Sequence, residues 1–467
     1  MVVTIARREV RDLMRDGRFR LLAVVIVAVA AIALVAGWKQ YTDVARQHAE
    51  AQAATRQQWV QQPAKNPHSA AHYGVYAFKP KSQLAVLDTG IDPYVGVATW
   101  LESHRQNEAA YRPAQDRTAL QRFGELTGAS VLQVLVPLFI VLMTFAAFSG
   151  EREQGLSRQL LSLGVARETL AVGKVLGILA ALGLVLLPVL IMASAALALA
   201  TGGVLASTPG RAAWLVVVHL AYALILIAVG LAVSARAASS RVSLVVLLSL
   251  WFVNSLVAPR AVGDLAAALH PTPPAARFAR DLQRDLADTS AVQARLDRRK
   301  RELFARYGVQ TVEALPVAFS GISLQEGEEH GNEVFDRHYG RLHDQFARQD
   351  RVQQWAGLAA PMLAVRSLSM ALAGTDGRHH RDFMTAAEQY RREMQRVLNG
   401  DLATHARPGQ VYLAKPSLWA SIAPFTYAAP STSWALAGQA RSLLVLVIWL
   451  AGAAVLLLFA VRTMPVE

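Results

Sequence analysis

The chain has 467 residues, of which 53% are hydrophobic and 17% charged, and it contains no cysteine. This composition is too apolar for an ordinary soluble protein, and the lack of cysteine excludes disulfides, thiolate nucleophiles and Cys-ligated metals. The formal net charge of +13 would suit nucleic acid, but no basic tract interleaved with aromatics and no zinc-knuckle spacing accompanies it. The sequence therefore predicts an integral membrane protein with no nucleic-acid partner.

The N-terminal residues alternate arginines with apolar side chains. Residues 1–20 carry six arginines among Ile5, Val10 and Leu13, a pattern typical of an amphipathic helix on the cytoplasmic surface of a lipid bilayer. The apolar residues 21–38 are long enough to form a first transmembrane helix. A secretory signal peptide is the alternative, and the lack of a convincing small-residue cleavage site argues against it.

Five further apolar runs are long enough to cross a bilayer. They predict the second to sixth transmembrane helices over residues 129–148, 175–200, 211–233, 242–258 and 443–461. The arginines of the short connections predict that the loop 149–174, the turn 234–241 and both termini lie on the cytoplasmic side of the inner membrane. Pro188 is expected to kink the third helix.

Two long polar stretches separate these helices, and each is too long for a simple connection. Residues 39–128 predict a first extracytoplasmic domain, in which 39–62 has the composition to continue the first transmembrane helix outward. Residues 259–440 predict a second, larger extracytoplasmic domain. Its expected elements are a long charged helix over 275–307, further helices over 332–354 and 379–399, and a buried or surface-lying helix within 355–374. The expected fold class is an all-α integral membrane protein with about six transmembrane helices and two mainly helical extracytoplasmic domains.

The loop 149–174 has the pattern of a structured connection. Leu156, Leu160 and Leu163 recur at helical spacing and form one apolar stripe, while Glu151 and Glu153 are expected in the first turn of the same helix, where its dipole favours negative charge. These features predict one amphipathic helix across the inner mouth of the bundle. Such a helix is a surface on which a second protein can act.

Few residues of the sequence belong to a recognisable catalytic, nucleotide-binding or metal-binding motif. The P-loop, H-E-x-x-H and G-x-S-x-G motifs are absent, so we expect no enzyme activity of the chain itself and no cofactor or metal bound by it. His68, His72 and Tyr73 are candidate ligands for a metal or substrate, but without a further clustered ligand a packing role is favoured. A second cluster of possible metal ligands or acid–base groups lies in a charged helix, and an ordinary solvent-exposed polar face is the favoured interpretation. Its members are Glu328, Glu329, His330, Asp336, His338 and His343.

The interior of the predicted transmembrane helices lacks Asp, Glu, Lys and Arg, which disfavours an ion-driven mechanism. The most polar residues there are Gln133, His219, Tyr222 and Asn254. They could line a translocation path or form interhelical hydrogen bonds, and the sequence leaves both readings open.

Four short motifs resemble the inner loop of ABC-2-type transporter permeases: Glu151-Arg152-Glu153-x-Gly155, Leu160-Leu161-Ser162, Val165-x-Arg167 and Gly173-Lys174. The family usually has Thr where Leu156 stands. The resemblance implies a coupling helix docked on a separate ATP-hydrolysing subunit. The coupling residues it implies are Glu151, Arg152, Glu153, Gly155, Leu156, Leu160, Leu161 and Arg167.

A second resemblance covers most of the chain. Pro361 to Met370, Asp382-Phe383 and Tyr390-Arg391 look like a permease subgroup with a large extracytoplasmic insertion of unassigned function. Together the resemblances imply an exporter subunit that pairs with a second permease subunit, identical or homologous. Each permease would dock a nucleotide-binding subunit that holds ATP and Mg, and a periplasmic partner could contact the outer domains.

A mechanical scaffold that moves an envelope partner without translocating cargo is the alternative. For the exporter, replacing both Glu151 and Glu153 by lysine is expected to abolish ATPase-coupled transport while the protein stays folded.

Overall fold

The computed structural model describes residues 1–116, 126–200 and 209–465. Part of the predicted first extracytoplasmic domain (117–125) and most of the connection between the third and fourth transmembrane helices (201–208) lie outside these ranges. The described residues are mostly helical, and six helical runs are long and apolar enough to cross a membrane. The protein is thus an essentially all-α chain with six candidate membrane helices, as the sequence predicts.

The N-terminal helix and the first apolar helix are separated by one residue. Helix α1 (Val2–Arg15) stops at Asp16, whose carboxylate accepts a hydrogen bond from the backbone N–H of Arg18 at 2.8 Å. This cap begins helix α2 (Gly17–Val60), which has 44 residues. At the usual rise per residue α2 is about 66 Å long, roughly twice a bilayer core, so it continues beyond the apolar segment as predicted.

A small sheet follows α2 and was not predicted. The elements are α3 (Pro67–Tyr73), β1 (Val75–Phe78), α4 (Asp92–Val95), β2 (Ala98–Glu102) and β3 (Arg105–Gln106). The strands pair antiparallel in the order β1-β2-β3, with Val75 opposite Leu101. Each strand has five residues or fewer, so its alternation is too short to stand out from the surrounding loop sequence.

The apolar helices form a bundle whose elements are longer than their apolar cores. Their bounds are α5 (Gly128–Ser130), a π-helical turn (Val131–Leu135), α6 (Val136–Thr144), α7 (Ser149–Glu153), α8 (Leu156–Ser162), α9 (Arg167–Ala200), α10 (Pro209–Arg236), α11 (Ser240–Phe252), a second π-helical turn (Val253–Val257) and α12 (Ala258–Leu269). Helix α9 begins eight residues before the predicted third transmembrane helix and continues through Pro188.

Close packing joins the bundle helices. Phe19, Ile140, Ile178 and Leu231 come from four different helices and are buried in one apolar core. Gly230 of α10 lies against α6, where a β-carbon would clash with the Thr144 side chain. Such contacts require a small residue at the crossing.

The second polar stretch contributes the remaining helices. They are α13 (Ala275–Ala287), α14 (Ser290–Tyr307), α15 (Phe319–Ala356), α16 (Pro361–Ala373), α17 (Gly377–His405), α18 (Pro416–Ser421), α19 (Thr432–Gly438) and α20 (Ala440–Arg462), the last being the sixth apolar helix. The predicted single helix 275–307 is wrong, because the chain breaks at Asp288, whose carboxylate accepts hydrogen bonds from the Ser290 N–H and hydroxyl. The predictions over 332–354 and 379–399 fall inside α15 and α17, which are longer.

Helix α16 is buried against the membrane bundle. Val365, Leu368 and Leu372 are fully buried in a core that α10 and α20 share. The two polar stretches also share a core with each other: the Trp59 indole N–H donates to the Trp419 carbonyl at 3.0 Å, and both rings are buried. The two stretches predicted as extracytoplasmic domains thus share one apolar core, and we call them together the polar region.

Candidate coupling surface at the termini end of the bundle

Both ends of the described chain meet at the end of the bundle opposite the polar region. Arg462, at the end of α20, forms an ion pair of 2.9 Å with Glu168 in the first turn of α9. Arg236, at the end of α10, donates a hydrogen bond to the Thr463 carbonyl. Helix α1 packs along the beginning of α9, where Gly173 and Gly177 let the two backbones approach. We call this surface the termini end; it includes the loop 149–166.

A buried lysine lies at the centre of the termini end. The Lys174 ammonium donates hydrogen bonds of 3.0 Å to the carboxylates of Glu9 and Glu151, and the residue is only 2% exposed. It also lies 5.4 Å from the centre of the Phe148 ring. A buried ammonium needs such partners, because an unpaired charge away from water is costly. Glu151 therefore faces inward and joins α7, α9 and α1.

Arg152 and Glu153 also bind within the protein. The Arg152 guanidinium donates to the carbonyls of Ala235, at 3.2 Å, and Ala237, which end α10. The Glu153 carboxylate accepts hydrogen bonds from the Ser240 N–H at 2.7 Å and its hydroxyl at 2.6 Å, where α11 begins. These bonds satisfy helix-end groups that would otherwise lack partners, and they fit the helix dipoles. The turn 234–241 is thereby fixed to α7.

The loop contains two short helices instead of the single predicted helix. Gly155 adopts φ of +72° between α7 and α8, a conformation that favours glycine. Glu151 and Glu153 are consequently not in the first turn of the leucine-bearing helix, and the predicted stripe is split. Leu160 and Leu161 pack against the bundle core, whereas Leu163 is 78% exposed.

Most of the predicted coupling residues thus bind other parts of the bundle and hold the loop in place. The Arg167 guanidinium donates to the Arg462 carbonyl at 2.5 Å, so it too binds within the bundle, while Leu156 is half-buried. The exposed side chains in and directly after α8 are Arg158, Gln159, Ser162 and Leu163, and we call them the outward face of α8. Sequence reasoning missed the roles of Glu9 and Lys174, although the Gly173-Lys174 motif marked one of them.

This geometry changes one expectation. Because Glu151 compensates Lys174, replacing Glu151 by lysine would place two ammonium groups together in a buried position. The double charge reversal at Glu151 and Glu153 is therefore expected to destabilise the fold. Variants that test docking must be made on the outward face of α8.

Two of the four polar residues predicted within the membrane helices lie together. The Asn254 amide donates to the Tyr222 hydroxyl at 2.8 Å and accepts from the Met362 N–H at 3.2 Å, where α16 begins. The His219 ring bonds the Leu215 carbonyl of its own helix at 2.9 Å, and Gln133 is buried elsewhere in the bundle. The pair supports the interhelical reading, since it ties α10, the α11–α12 run and α16 together.

The charged cluster of α15 does not converge on one point. His338 bonds Asp285 of α13 at 2.8 Å, and this hydrogen bond lowers the pKa of Asp285. Asp336 pairs with Arg392 at 2.7 Å, and Glu328 pairs with His104 at 2.6 Å. Glu329 accepts from the Gln325 amide, His343 lies beside the Tyr339 ring, and His330 makes no side-chain hydrogen bond within the described part of the chain. This cluster joins α15 to its neighbours and does not form a shared ligand set.

Comparison with known proteins gives one match. Residues 276–428 match the family described as a domain of unknown function, DUF3526. This segment runs from α13 through α18 and covers about a third of the chain. No curated protein matches the chain.

Proposed function

We propose that this chain is the transmembrane permease subunit of an ABC-2-type exporter. A separate nucleotide-binding subunit, which holds ATP and Mg, docks on the outward face of α8, and its motion drives export of a substrate across the inner membrane. In this proposal the termini end is cytoplasmic and the polar region is extracytoplasmic. Two copies, or this chain and a homologous permease, face each other in the bilayer.

The observation that carries the proposal is that the loop 149–166 has one part bound to the bundle and another part exposed. The charged side chains of α7 bind the ends of α10 and α11 and the buried Lys174, so the loop is fixed to the bundle. Leu163, by contrast, exposes 78% of its surface at the end of α8. A rigidly braced surface with an exposed apolar side chain can receive a partner and transmit its displacement to the attached helices.

The proposed orientation can be tested by single-cysteine labelling, because the chain has no natural cysteine. Leu163→Cys and Leu413→Cys both place the thiol at exposed positions, one at each end of the molecule. A membrane-impermeant maleimide should label position 413 in spheroplasts and position 163 only after the membrane is opened. Labelling of position 163 in sealed spheroplasts would refute the orientation.

The docking claim needs a second experiment. We expect the tagged chain, isolated from its native membrane, to retain vanadate-sensitive ATPase activity through its bound subunit. Leu163→Glu should lower this activity at least 10-fold, because a charge would enter an apolar contact at the centre of the interface. Leu413→Glu is the matched control and should leave it unchanged. Equal activity in the two variants would contradict docking on α8.

The scaffold alternative also has an observation in its favour. Helix α2 runs unbroken from Asp16, its cap at the termini end, to Trp59, which bonds Trp419 of the polar region. Motion at one end could therefore reach the other without any cargo path. The test uses reconstituted vesicles and two measurements, the maleimide reactivity of position 413 and the transport of solutes extracted from the host cell. A change in reactivity on addition of ATP, without transport of any of these solutes, would favour the scaffold over export.

A further inference from the structure

Three histidines of the polar region converge at one point. His68 and His72 lie one helical turn apart on α3, and His104 lies in the turn between β2 and β3. The Nε2 atom of His68 is 3.1 Å from that of His72 and 3.4 Å from that of His104. One ring nitrogen from each of the three residues lies within 4.8 Å of the others. Tyr73, the third ligand candidate from the sequence, stacks instead beneath the Lys65 ammonium.

Hydrogen bonding among the rings does not account for this arrangement. A neutral imidazole nitrogen carries either one proton or one lone pair in the ring plane. The Nε2 atom of His68 therefore has one proton or one lone pair to share between two short contacts, and among the three facing nitrogens at least two must present like groups. A cation at the centre removes the conflict, because all three nitrogens can then direct lone pairs toward it.

The spacing also suits a metal ion. Zinc binds histidine nitrogens at about 2.0–2.1 Å in tetrahedral geometry, so two such ligands are roughly 3.3–3.4 Å apart. The two short contacts of His68, at 3.1 and 3.4 Å, are close to that separation without any rearrangement of the chain. Two histidines at positions i and i+4 of a helix lie on the same face, which is a common way to present a pair of ligands.

The third histidine is oriented by a buried carboxylate. The Glu328 carboxylate lies 2.6 Å from His104 Nδ1 and also accepts hydrogen bonds from the His104 backbone N–H at 3.2 Å. Glu328 is 2% exposed and is held in turn by Arg391 at 3.5 Å. A carboxylate that accepts the Nδ1 proton leaves the Nε2 lone pair free to bind a metal.

The backbone at His104 supports the same interpretation. His104 has φ of +64°, a conformation that non-glycine residues adopt rarely and at an energetic cost. The bonds from Glu328 hold the residue in this conformation and direct its ring toward α3. Residues held in such conformations cluster at ligand-binding sites.

We propose that His68, His72 and His104 form a binding site for a divalent transition-metal cation of the zinc and copper class. Imidazole nitrogen is a preferred ligand for these ions and a poor one for Mg²⁺ or Ca²⁺. Three ligands leave a fourth coordination position, and since His72 and His104 are exposed this position is open to water or to a donor atom from another molecule. The ion would tie α3 to the β2–β3 turn and, through Glu328, to α15 of the family-matched segment. This site is independent of ATPase docking.

The test is zinc binding by the full-length protein in detergent after metal removal with a chelator. Competition with a chromophoric chelator should show one Zn²⁺ per chain, and Co²⁺ should give the visible absorption of a tetrahedral site. His72→Ala should weaken zinc binding at least 10-fold. His405→Ala is the control, because His405 is also an exposed histidine beside one carboxylate but has no histidine neighbours in the described structure.

A second variant tests the role of the carboxylate. Glu328→Gln should retain one site and weaken zinc affinity about 10-fold, the lower end of the effect of losing such an orienting partner. Thermal unfolding of each metal-free variant shows whether the fold is intact. The proposal is overturned if the wild-type chain binds no zinc, or if folded His72→Ala and His68→Ala proteins bind it as tightly as the wild type.

Discussion

The two ends of this molecule use charged residues in a similar way but leave different groups exposed. At the termini end, Lys174 joins Glu9 and Glu151 between helices, and an apolar side chain, Leu163, is left facing out. At the polar end, Arg391 is buried between Glu328 and Glu388, and the exposed group is a cluster of imidazoles. The charged motif residues of the loop therefore join helices to one another, and the proposed docking depends on the exposed side chains beside them.

The largest effect is expected at Arg391, which is 1% exposed and donates two hydrogen bonds of 2.8 Å to Glu388. Arg391→Met removes the buried cation between two carboxylates, leaving Glu388 with Arg392 and Glu328 with His104, and should cost about 3–5 kcal/mol of unfolding free energy. Tryptophan fluorescence during unfolding in mixed micelles measures the loss. Arg396→Met is the control, because its pair with Glu393 is exposed and is worth about 1 kcal/mol or less. Equal losses in the two variants would contradict the buried network.

The corresponding variant at the termini end should have a somewhat smaller effect. Lys174→Met removes the cation shared by Glu9 and Glu151, which keep 15% and 19% of their side-chain surface in solvent. We expect a loss of about 2–4 kcal/mol, below the fully buried case. Lys39→Met, at an exposed lysine of α2, should change stability little. Adding Glu151→Gln to Lys174→Met should recover part of the loss; a strictly additive result would show that the two residues do not interact.

The two ends should also differ in acid sensitivity, since residues 1–20, 149–174 and 234–241 contain no histidine. Burial, with a further contribution from the Lys79 charge, lowers the pKa of His380 from 6.5 to about 4. The folded state therefore resists a proton that the unfolded chain accepts, so stability falls as the pH falls from 6.5 toward 4. Allowing for partial exposure, this contribution is about 1–2 kcal/mol. His380→Gln should lose this part of the pH dependence between pH 7.5 and 4.5, and an unchanged slope would contradict it.

A similarly small stability effect is expected at the break between α7 and α8. Gly155 has φ of +72° with open space around it, so Gly155→Ala meets no steric clash and should cost only about 1–2 kcal/mol from the backbone conformation. Gly263 has equally open space but lies in the middle of α12 without a positive φ. Gly263→Ala should therefore be neutral or stabilising. If both substitutions have the same effect, the break is not imposed by the glycine conformation.

The apolar helices could be predicted from sequence because a run long enough to cross a bilayer is an unambiguous signal. The continuation of α2 beyond Trp38 was also predicted from composition. The break at Gly155 was missed, since a glycine inside a short helical pattern does not show which sign of φ it adopts. The split at Asp288 was missed for a similar reason: an aspartate can lie within a charged helix or bond the next turn and end it.

The functional residues show the same limit: local motifs can be found from the sequence, and contacts between distant residues cannot. Local motifs identified the loop 149–166, but the direction of its side chains depends on long-range partners. Glu151 faces inward because Lys174 lies 23 positions later in the chain and is buried there. His104 joins His68 across 36 positions and only because β2 pairs with β1, so the third ligand could not be found from spacing alone.

The central claim is that the outward face of α8 receives an ATP-hydrolysing subunit. The most direct measurement places a photo-crosslinking residue at position 163 of the chain, expressed in cells of its native host. Position 413 is the control. We expect a protein adduct at position 163 that contains a P-loop ATPase and is absent at position 413. Adducts at position 163 with lipid alone, or the same ATPase captured equally from position 413, would contradict it.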